Sequence, residues 1–430
     1  MYSILNEIIN FVVEKANPYN IVKNYVKLCE DKLIIKDKEF SITGNIYILA
    51  IGKAACSMGK AIEDILGNRI KEGIAVTKYG YSQNLKVLRV IEAGHPYPDE
   101  NSIKAGKIGL DIIKKANEND LIIFLISGGA SSLFEVPEDD ISFSDIREMY
   151  KLLVDSGLDI YKINTVRKHI SKIKGGKILQ FTQAKVISII ISDVVGNDLS
   201  TIASGLTYKD STTFKDAIDV LKSKNIWEKV PSSIKKVLQL GMDKKYPETL
   251  KELSDNVYNF LIYDNVQLLE EIKQFLNSKG YSSKIVTTYM TGESREFGKF
   301  VSSIIKEIKR FNRPFSKPLI LLFGGETYVT VTSETGKGGP NQEIILSMIH
   351  ELKGYHDVFG LAMDTDGTDG PTDAAGAFFD DNILEKSKNY DLLKYLETNS
   401  SYNILDKIGC LIKTGPTYSN LNSLVIVGIL

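Results

Sequence analysis

Cysteine is scarce and poorly placed for chemistry. Cys29, Cys56 and Cys410 are odd in number and far apart, with no CxxC pair and no Cys/His cluster. A disulfide framework and a structural zinc site are therefore not expected. Long hydrophobic runs are also missing. The most apolar stretches, 121–126, 186–191 and 319–323, have the length of strands, far below the ~20 residues that span a bilayer. The segment Met1 to Lys15 carries Glu7 and Glu14 among its apolar residues, so it reads as an amphipathic helix and not as a signal peptide. A cytoplasmic protein without a membrane partner is expected. Nor is there an excess of either charge: 53 Lys+Arg against 54 Asp+Glu leave a formal net charge of −1. A general nucleic-acid binder would need a basic surplus to displace counterions.

What is present is a globular composition, 43% hydrophobic and 25% charged over 430 residues, enough for two or three domains with their own cores. Runs rich in Ile, Leu and Val at 46–51, 73–77, 87–91, 121–126 and 185–191 alternate with helical patterns at 53–66, 102–116, 144–155 and 214–223. Unbroken runs of this kind suit parallel strands buried on both faces. Their alternation with helices predicts an α/β domain. A polar, Lys-rich stretch at 235–255 marks a boundary near 250 and gives domains 1–250 and 251–430. In the second, strands are expected at 257–262, 283–288 and 319–323, helices at 265–278, 293–310 and 342–352, and a hairpin at 326–332.

Ligands of open α/β sheets bind where strands end and helices begin, and the unusual residues cluster there. After 121–126 comes Ser127-Gly128-Gly129-Ala130-Ser131-Ser132, either an anion nest of backbone N–H groups or simply a tight turn. Segment 166–177 holds Arg167, Lys168, His169, Lys172, Lys174 and Lys177 and no acid. At helical spacing it forms a basic face opposite an apolar stripe, closed by Gly175-Gly176; a solvated face and an anion site are the two readings. Asp193 follows the run 185–191, where it could hold Mg²⁺, accept a proton or cap a turn. Glu326 follows Gly324-Gly325 at another strand end. Four carboxylates, Asp364, Asp366, Asp369 and Asp373, fall within ten residues, and would repel one another unless a cation or basic groups joined them.

Several matches fail. An EF-hand loop from Asp364 has glycine at the seventh position and Ala375 at the twelfth. Gly52 to Lys60 misses Walker A spacing, no GxGxxG joins a strand to a helix, and no GxSxG elbow occurs.

Taken in order, however, Ile51-Gly52-Lys53-Ala54-Ala55, Ala93-Gly94-His95-Pro96, Leu125 to Ser131, Asn164 to Gly176 and Ser192-Asp193-Val194 form a recognisable series. Ile202-Ala203-Ser204-Gly205, Gly324-Gly325-Glu326-Thr327, Asn341-Gln342-Glu343, Asp364 to Gly376 and Thr414-Gly415-Pro416-Thr417 continue it. With these the chain resembles the type II glycerate kinases, whose C-terminal part is the MOFRL domain. The resemblance implies an α/β fold: a Rossmann-like parallel-sheet N-terminal domain, a smaller α/β MOFRL-type C-terminal domain, and an active-site cleft between them. It implies ATP-dependent phosphorylation of D-glycerate with Mg²⁺ or another divalent cation, favouring the 2-hydroxyl and so 2-phosphoglycerate and ADP. Phosphorylation at the 3-hydroxyl, a hydroxypyruvate reductase and a non-catalytic nucleotide or sugar-acid sensor are the alternatives. Its partners would be small molecules, with a homo-oligomer compatible.

Carried onto this chain, the resemblance gives Lys53 the neutralisation of phosphate or substrate charge, and Arg167 and Lys168 the binding of carboxylate or phosphates. Ser127, Gly128, Gly129, Ala130 and Ser131 supply backbone donors, and Asp193 is base or metal ligand. Glu326, Asp364 and Asp366 are the other Mg²⁺ candidates. His95, Asn164, Lys174, Gly325 and Asn341 complete the substrate and phosphate contacts. The family has Arg in Gly-Gly-Arg-Asn-Gln-Glu where this chain has Pro340, so Lys337 or another basic group would have to compensate. The basic segment 166–177 and the acidic loop 364–373 are expected to balance each other across the site.

Overall fold

The computed structural model describes residues 2–333 and 336–430, Tyr2 by its backbone alone. They form two compact units. One is Pro18–Ile262; the other joins the stretch ending at Asn17 to Tyr263–Leu430. The opening amphipathic pattern forms the helix Tyr2–Lys15, Met1 lying outside the described residues. It packs with the later part of the chain through stacked Phe11 and Phe275 rings 4.4 Å apart and a Lys279–Glu7 ion pair of 2.8 Å. The units therefore meet in sequence at Tyr263, with the first helix in the later unit, and not at a single division near 250. No helix among the described residues is long and apolar enough to cross a membrane.

In the first unit, β1 (Val26–Cys29), β2 (Lys32–Ile35) and β3 (Lys38–Ser41) make a small antiparallel sheet. The main sheet contains β4 (Ile46–Ile51), β5 (Ile70–Lys78), β6 (Arg89–Ala93), β7 (Leu121–Ile126), β8 (Lys185–Ile191) and β9 (Val257–Tyr263), in the order β6-β5-β4-β7-β8-β9. The pairings of β4 with β5 and β7, of β5 with β6, and of β7 with β8 are parallel. Every residue of β4 and β7 is buried, which is why both read as unbroken apolar runs. β9, expected to open the second domain, instead edges this sheet. Its Tyr258 and Phe260 pack edge-on against Phe40, at 4.9 and 5.8 Å. Helix starts are set locally: Asp99 and Ser102 form a capping box for Glu100–Lys115, and Thr213 and Asp216 another for Phe214–Ser223. The chain runs outward from β4 through β5 and β6, then resumes on the other side at β7. The strand order reverses between β4 and β7, and the crevice of such a sheet opens at their carboxyl ends.

The basic segment departs from its helical pattern. The helix Ile160–His169 stops before Gly175-Gly176, because the backbone beyond it pairs elsewhere. Lys172 N–H donates to Val136 O (2.7 Å), and Glu138 N–H to Ile170 O (3.2 Å). That pairing supplies acids from outside the segment. Lys174 pairs with Glu135, Lys172 with Asp139, Lys177 with Glu138 at 2.8 Å, Lys168 with Asp210 at 3.0 Å and His169 with Glu248 at 3.2 Å. The counter-charge to 166–177 thus lies within its own unit, and not in the loop 364–373.

The second unit contains β10 (Ser283–Met290), β11 (Leu319–Gly325), β12 (Val358–Asp364), β13 (Gly376–Phe379), β14 (Leu411–Ile412) and β15 (Ser423–Ile429), in the order β10-β11-β15-β12-β13-β14. β15 lies antiparallel between β11 and β12, so the sheet is mixed. The hairpin at 326–332 does not form. Tyr328 makes a single bridge to Glu293, whose carboxylate accepts from Thr330, while Thr332 donates to Asn399. These contacts draw the segment away from itself.

Two outcomes follow for stability. Removing one partner of a buried pair leaves an uncompensated charge, so Asp210→Ala is expected to destabilise by about 3–5 kcal/mol in urea unfolding, and adding Lys168→Met to recover much of that loss. Burial works against ionising Glu248, but His169, the Phe214 amide and Lys251 outweigh it and hold the carboxyl at about 2, below its ordinary 4.5. Since the folded value is the lower one, this contribution is complete above about pH 4.5 and is lost as pH falls towards 2. Glu248→Gln is expected to flatten the stability–pH curve in that interval.

Candidate active site

The reversal point of the parallel sheet carries the turn singled out by its small residues. Ile51 and Ile126 are register partners at the ends of β4 and β7, and the turns that follow are laced together. Ser127 N–H donates to Ile51 O (3.0 Å), Lys53 N–H to Gly128 O (2.8 Å), and Ala54 N–H to Ser127 Oγ (3.0 Å). Gly52 has φ +127°, and a Cβ there would fall 2.2 Å from Ser127 Oγ; only glycine permits this approach. A Cβ on Gly129, at φ +85°, would lie 3.0 Å from the His95 ring and 3.5 Å from Lys53 Cγ. The imidazole of His95 and the stem of Lys53 therefore converge over the Gly128-Gly129 turn, from the ends of two different strands.

A second group of residues borders this turn. Ser131 Oγ lies 2.8 Å from Ser204 Oγ, which donates to Asn164 Oδ1 at 2.9 Å. Ser204 uses its proton on Asn164, so Ser131 is the donor between the two hydroxyls. Asn164 Nδ2 in turn donates to Thr201 O (3.1 Å). Ser204 sits in a left-handed run, Ala203, Ser204 and Gly205 having φ of 52°, 55° and 64°. Gly175 N–H to Ser204 O (3.0 Å) and Gly176 N–H to Gly205 O (2.7 Å) hold that run in place. Three residues after Asn164, on the same helix face, stands Arg167. It is 6% exposed, its Nε has no hydrogen-bond partner among the described residues, and its guanidinium carbon lies 4.4 Å from the Tyr150 ring centroid. Burial lowers its pKa, yet a guanidinium stays protonated.

Lys168 and Lys174, expected to bind anions, are corrected by the structure. Both are buried and engaged, Lys168 with Asp210 and Lys174 with Glu135 and the Phe134 carbonyl. They are interior ion pairs, and Arg167 is the cation of the segment with no carboxylate ion pair among the described residues. Asp193 follows the carboxyl end of β8 and is partly exposed. The residues that sequence reasoning missed are Glu135, Tyr150 and Asp210; Ser204 stood in the quoted series Ile202-Ala203-Ser204-Gly205 without a role. An acidic run, Glu135 with Glu138, Asp139 and Asp140, was the available signal.

In the second unit, Gly325 and Asp364 both register against Ser423, so three strand ends meet in one row. Ser423 Oγ donates to Asp364 Oδ2 (3.2 Å) and accepts from Asn341 Nδ2 (2.8 Å). Glu326 N–H donates to Met290 O (2.8 Å) beside this row. Asn341 opens the helix Pro340–Glu351, but the end of that helix is occupied from within. The carboxylate of Asp369 accepts from Asn341 N–H (3.0 Å) and Gln342 N–H (2.8 Å). Burial pushes Asp369 up to about 6 against these bonds. Pro340 fits the first helical position, where no N–H is needed, and Lys337 lies 3.8 Å from the Tyr402 ring.

The four loop carboxylates do not converge as a cation cage. Asp364 accepts from the Asp366 amide, Asp366 from Thr368, and Asp373 from Tyr402 and Lys413, while Asp369 faces the helix. Among the described residues no three His, Cys, Asp or Glu side chains come together to hold a metal. Within the second unit, Asp364 and Asp366 of the expected set therefore form no preformed cage; repulsion within the loop is relieved by dispersal and hydrogen bonding.

A parallel sheet with a glycine turn, a lysine and a histidine at its reversal, and a buried arginine with no ion pair among the described residues form the architecture of an α/β protein with a candidate ligand site at the sheet's reversal. The sequence agrees with a narrower class. The domain of unknown function DUF4147 matches residues 4–239, and the MOFRL family matches 319–423. Glycerate 2-kinase of Pyrococcus horikoshii is 49% identical over 416 residues, 96% of this chain and 94% of that protein. D-glycerate 2-kinase of Thermotoga maritima is 43% identical over 385 residues, 89% of this chain and 90% of the relative. The crystal structure of glycerate kinase from Thermotoga maritima superposes with a TM-score of 0.85 at 39% identity, covering 100% of both chains. The chain belongs to the glycerate kinase family that carries the MOFRL domain.

Asp369→Ala would orphan two buried N–H groups at the start of Pro340–Glu351 and is expected to lower stability by about 2–3 kcal/mol. Chemical denaturation followed by far-UV circular dichroism checks this.

Proposed function

We infer that the chain is a glycerate 2-kinase: it transfers the γ-phosphoryl group of ATP to the 2-hydroxyl of D-glycerate, giving 2-phosphoglycerate and ADP. The convergence of Lys53 and His95 over the Gly128-Gly129 turn, in a chain so similar to two glycerate 2-kinases, carries this reading. Phosphoryl transfer is catalysed by positioning and charge neutralisation, with little covalent work for the protein.

Arg167 is the receptor for the substrate carboxylate, since a buried guanidinium without a counter-ion offers paired N–H groups to a planar anion. C2 is the carbon next to that carboxylate. Fixing the carboxylate restricts the 2-hydroxyl more than the 3-hydroxyl, which swings on one further bond. Lys53 neutralises charge developing on the transferred phosphoryl group. The backbone of Ser127, Gly128, Gly129, Ala130 and Ser131 donates to phosphate oxygens, and His95 hydrogen-bonds the substrate. Asn164 holds Ser204 and, through it, Ser131. Asp193 takes the proton of the attacking hydroxyl. Magnesium supplies charge neutralisation on ATP when bound with it. Mg²⁺ keeps waters and needs only one or two carboxylates beside the phosphates, so single residues such as Asp193, Glu326 or Asp364 suit it better than a cage. Small-molecule substrates and a cytoplasmic location complete the reading.

Incubation with ATP, Mg²⁺ and D-glycerate, coupled to enolase without phosphoglycerate mutase, is expected to give a signal directly. A signal that needs the mutase would mean the 3-phosphate, and turnover of hydroxypyruvate with NADH in the absence of ATP would overturn the kinase reading. Binding of both substrates without product would mean a sensor. Lys53→Ala is expected to lower kcat by roughly 100-fold or more.

A further inference from the structure

We propose that Tyr150 is a positioning residue for Arg167, fixing the plane in which that guanidinium meets the substrate carboxylate. The proposal rests on the reading of Arg167 as the carboxylate receptor and adds what orients it. Tyr150 is 0% exposed, in the helix Phe143–Asp155. Its hydroxyl has two acceptors, Glu135 Oε2 at 2.5 Å and the Ser131 carbonyl at 3.1 Å. The first belongs to a buried acid and the second to the glycine turn, so the ring cannot rotate out of place without breaking both contacts.

Glu135 explains why Arg167 is left unpaired. Its Oε2 accepts from Tyr150 and from Lys174 Nζ, and its Oε1 from the Val136 amide (2.9 Å). Three donors already surround this carboxylate. Lys168, next to Arg167, is held by Asp210. The guanidinium therefore rests on the face of the Tyr150 ring, 4.4 Å from its centroid. The ring quadrupole attracts it there without capping its N–H groups. An acid in the same place would bind the edge that a substrate carboxylate must use. An aromatic face holds the cation and leaves that edge open.

The test is steady-state kinetics with D-glycerate varied at saturating MgATP, and the reverse, for the full-length protein and three variants. Arg167→Lys is expected to raise the glycerate KM about 30-fold or more with the ATP KM nearly unchanged. Tyr150→Leu, which removes the face, is expected to raise the glycerate KM about tenfold, and Tyr150→Phe, which keeps the face but loses both anchors, about threefold, neither moving the ATP KM. A purely structural tyrosine would change stability or both KM values together and show no such gradation. An unchanged glycerate KM in Arg167→Lys overturns the receptor reading itself. A raised glycerate KM in Arg167→Lys beside an unchanged one in folded Tyr150→Leu overturns only the role of Tyr150. Should Tyr150→Leu fail to fold, an unchanged glycerate KM in Tyr150→Phe overturns it equally.

Discussion

Burying a cation costs several kcal/mol unless an anion and further hydrogen bonds meet it, and Arg167, Lys168, Lys174 and Lys177 are all buried. The first unit is arranged around that constraint. Glu135 and Glu138 come from the chain just after the glycine turn, and Asp210 from beyond the left-handed run at Ser204. To reach their partners, these segments must lie beside the end of the helix Ile160–His169. The same requirement ends that helix at His169 and brings Ser131, Ser204 and Asn164 into contact. Three of the four cations are matched by carboxylates; among the described residues the fourth is met by an aromatic face.

The second unit meets the converse difficulty, a surplus of acids in one loop, with a different solution. Asp364 and Asp366 are absorbed by backbone turns, Asp373 by Tyr402 and Lys413, and Asp369 by the start of the helix Pro340–Glu351. An internal carboxylate at a helix start takes the position a phosphate would otherwise favour. That makes the Asn341 region a structural joint, and Pro340 a natural first residue of that helix.

Much of this architecture was legible because burial on both faces leaves a plain mark. β4, β7 and β11 are apolar at nearly every residue and stand out as runs bounded by glycine. The glycine turn was legible as a feature but not as a site, since Gly128-Gly129 suits a tight turn equally well, and the approach of Lys53 and His95 to it is long-range. The 166–177 segment misled because helical spacing persists after the helix has ended, and the backbone pairing of 170–172 with 136–138 is long-range. Arg167 and Lys168 are adjacent cations in the sequence, and nothing local reveals that Lys168 has an acid 42 residues away while Arg167 makes no ion pair among the described residues. Position β9 went to the wrong sheet for a similar reason, its edge partner Phe40 lying far upstream.

The placement of β15 bears on how the chain is made. Strand Ser423–Ile429 lies at the middle of its sheet, flanked by β11 and β12, and it follows every other strand of that sheet in sequence. During synthesis, β11 and β12 emerge with a vacancy between them that is filled only once β15 has left the ribosome. The Pro18–Ile262 unit is continuous and draws on nothing downstream for its own sheet, so it can fold while translation proceeds. The helix Tyr2–Lys15, which precedes that unit, must wait for its partner helix Asn265–Ser278. The second unit thus completes its packing after the first unit's sheet is already in place.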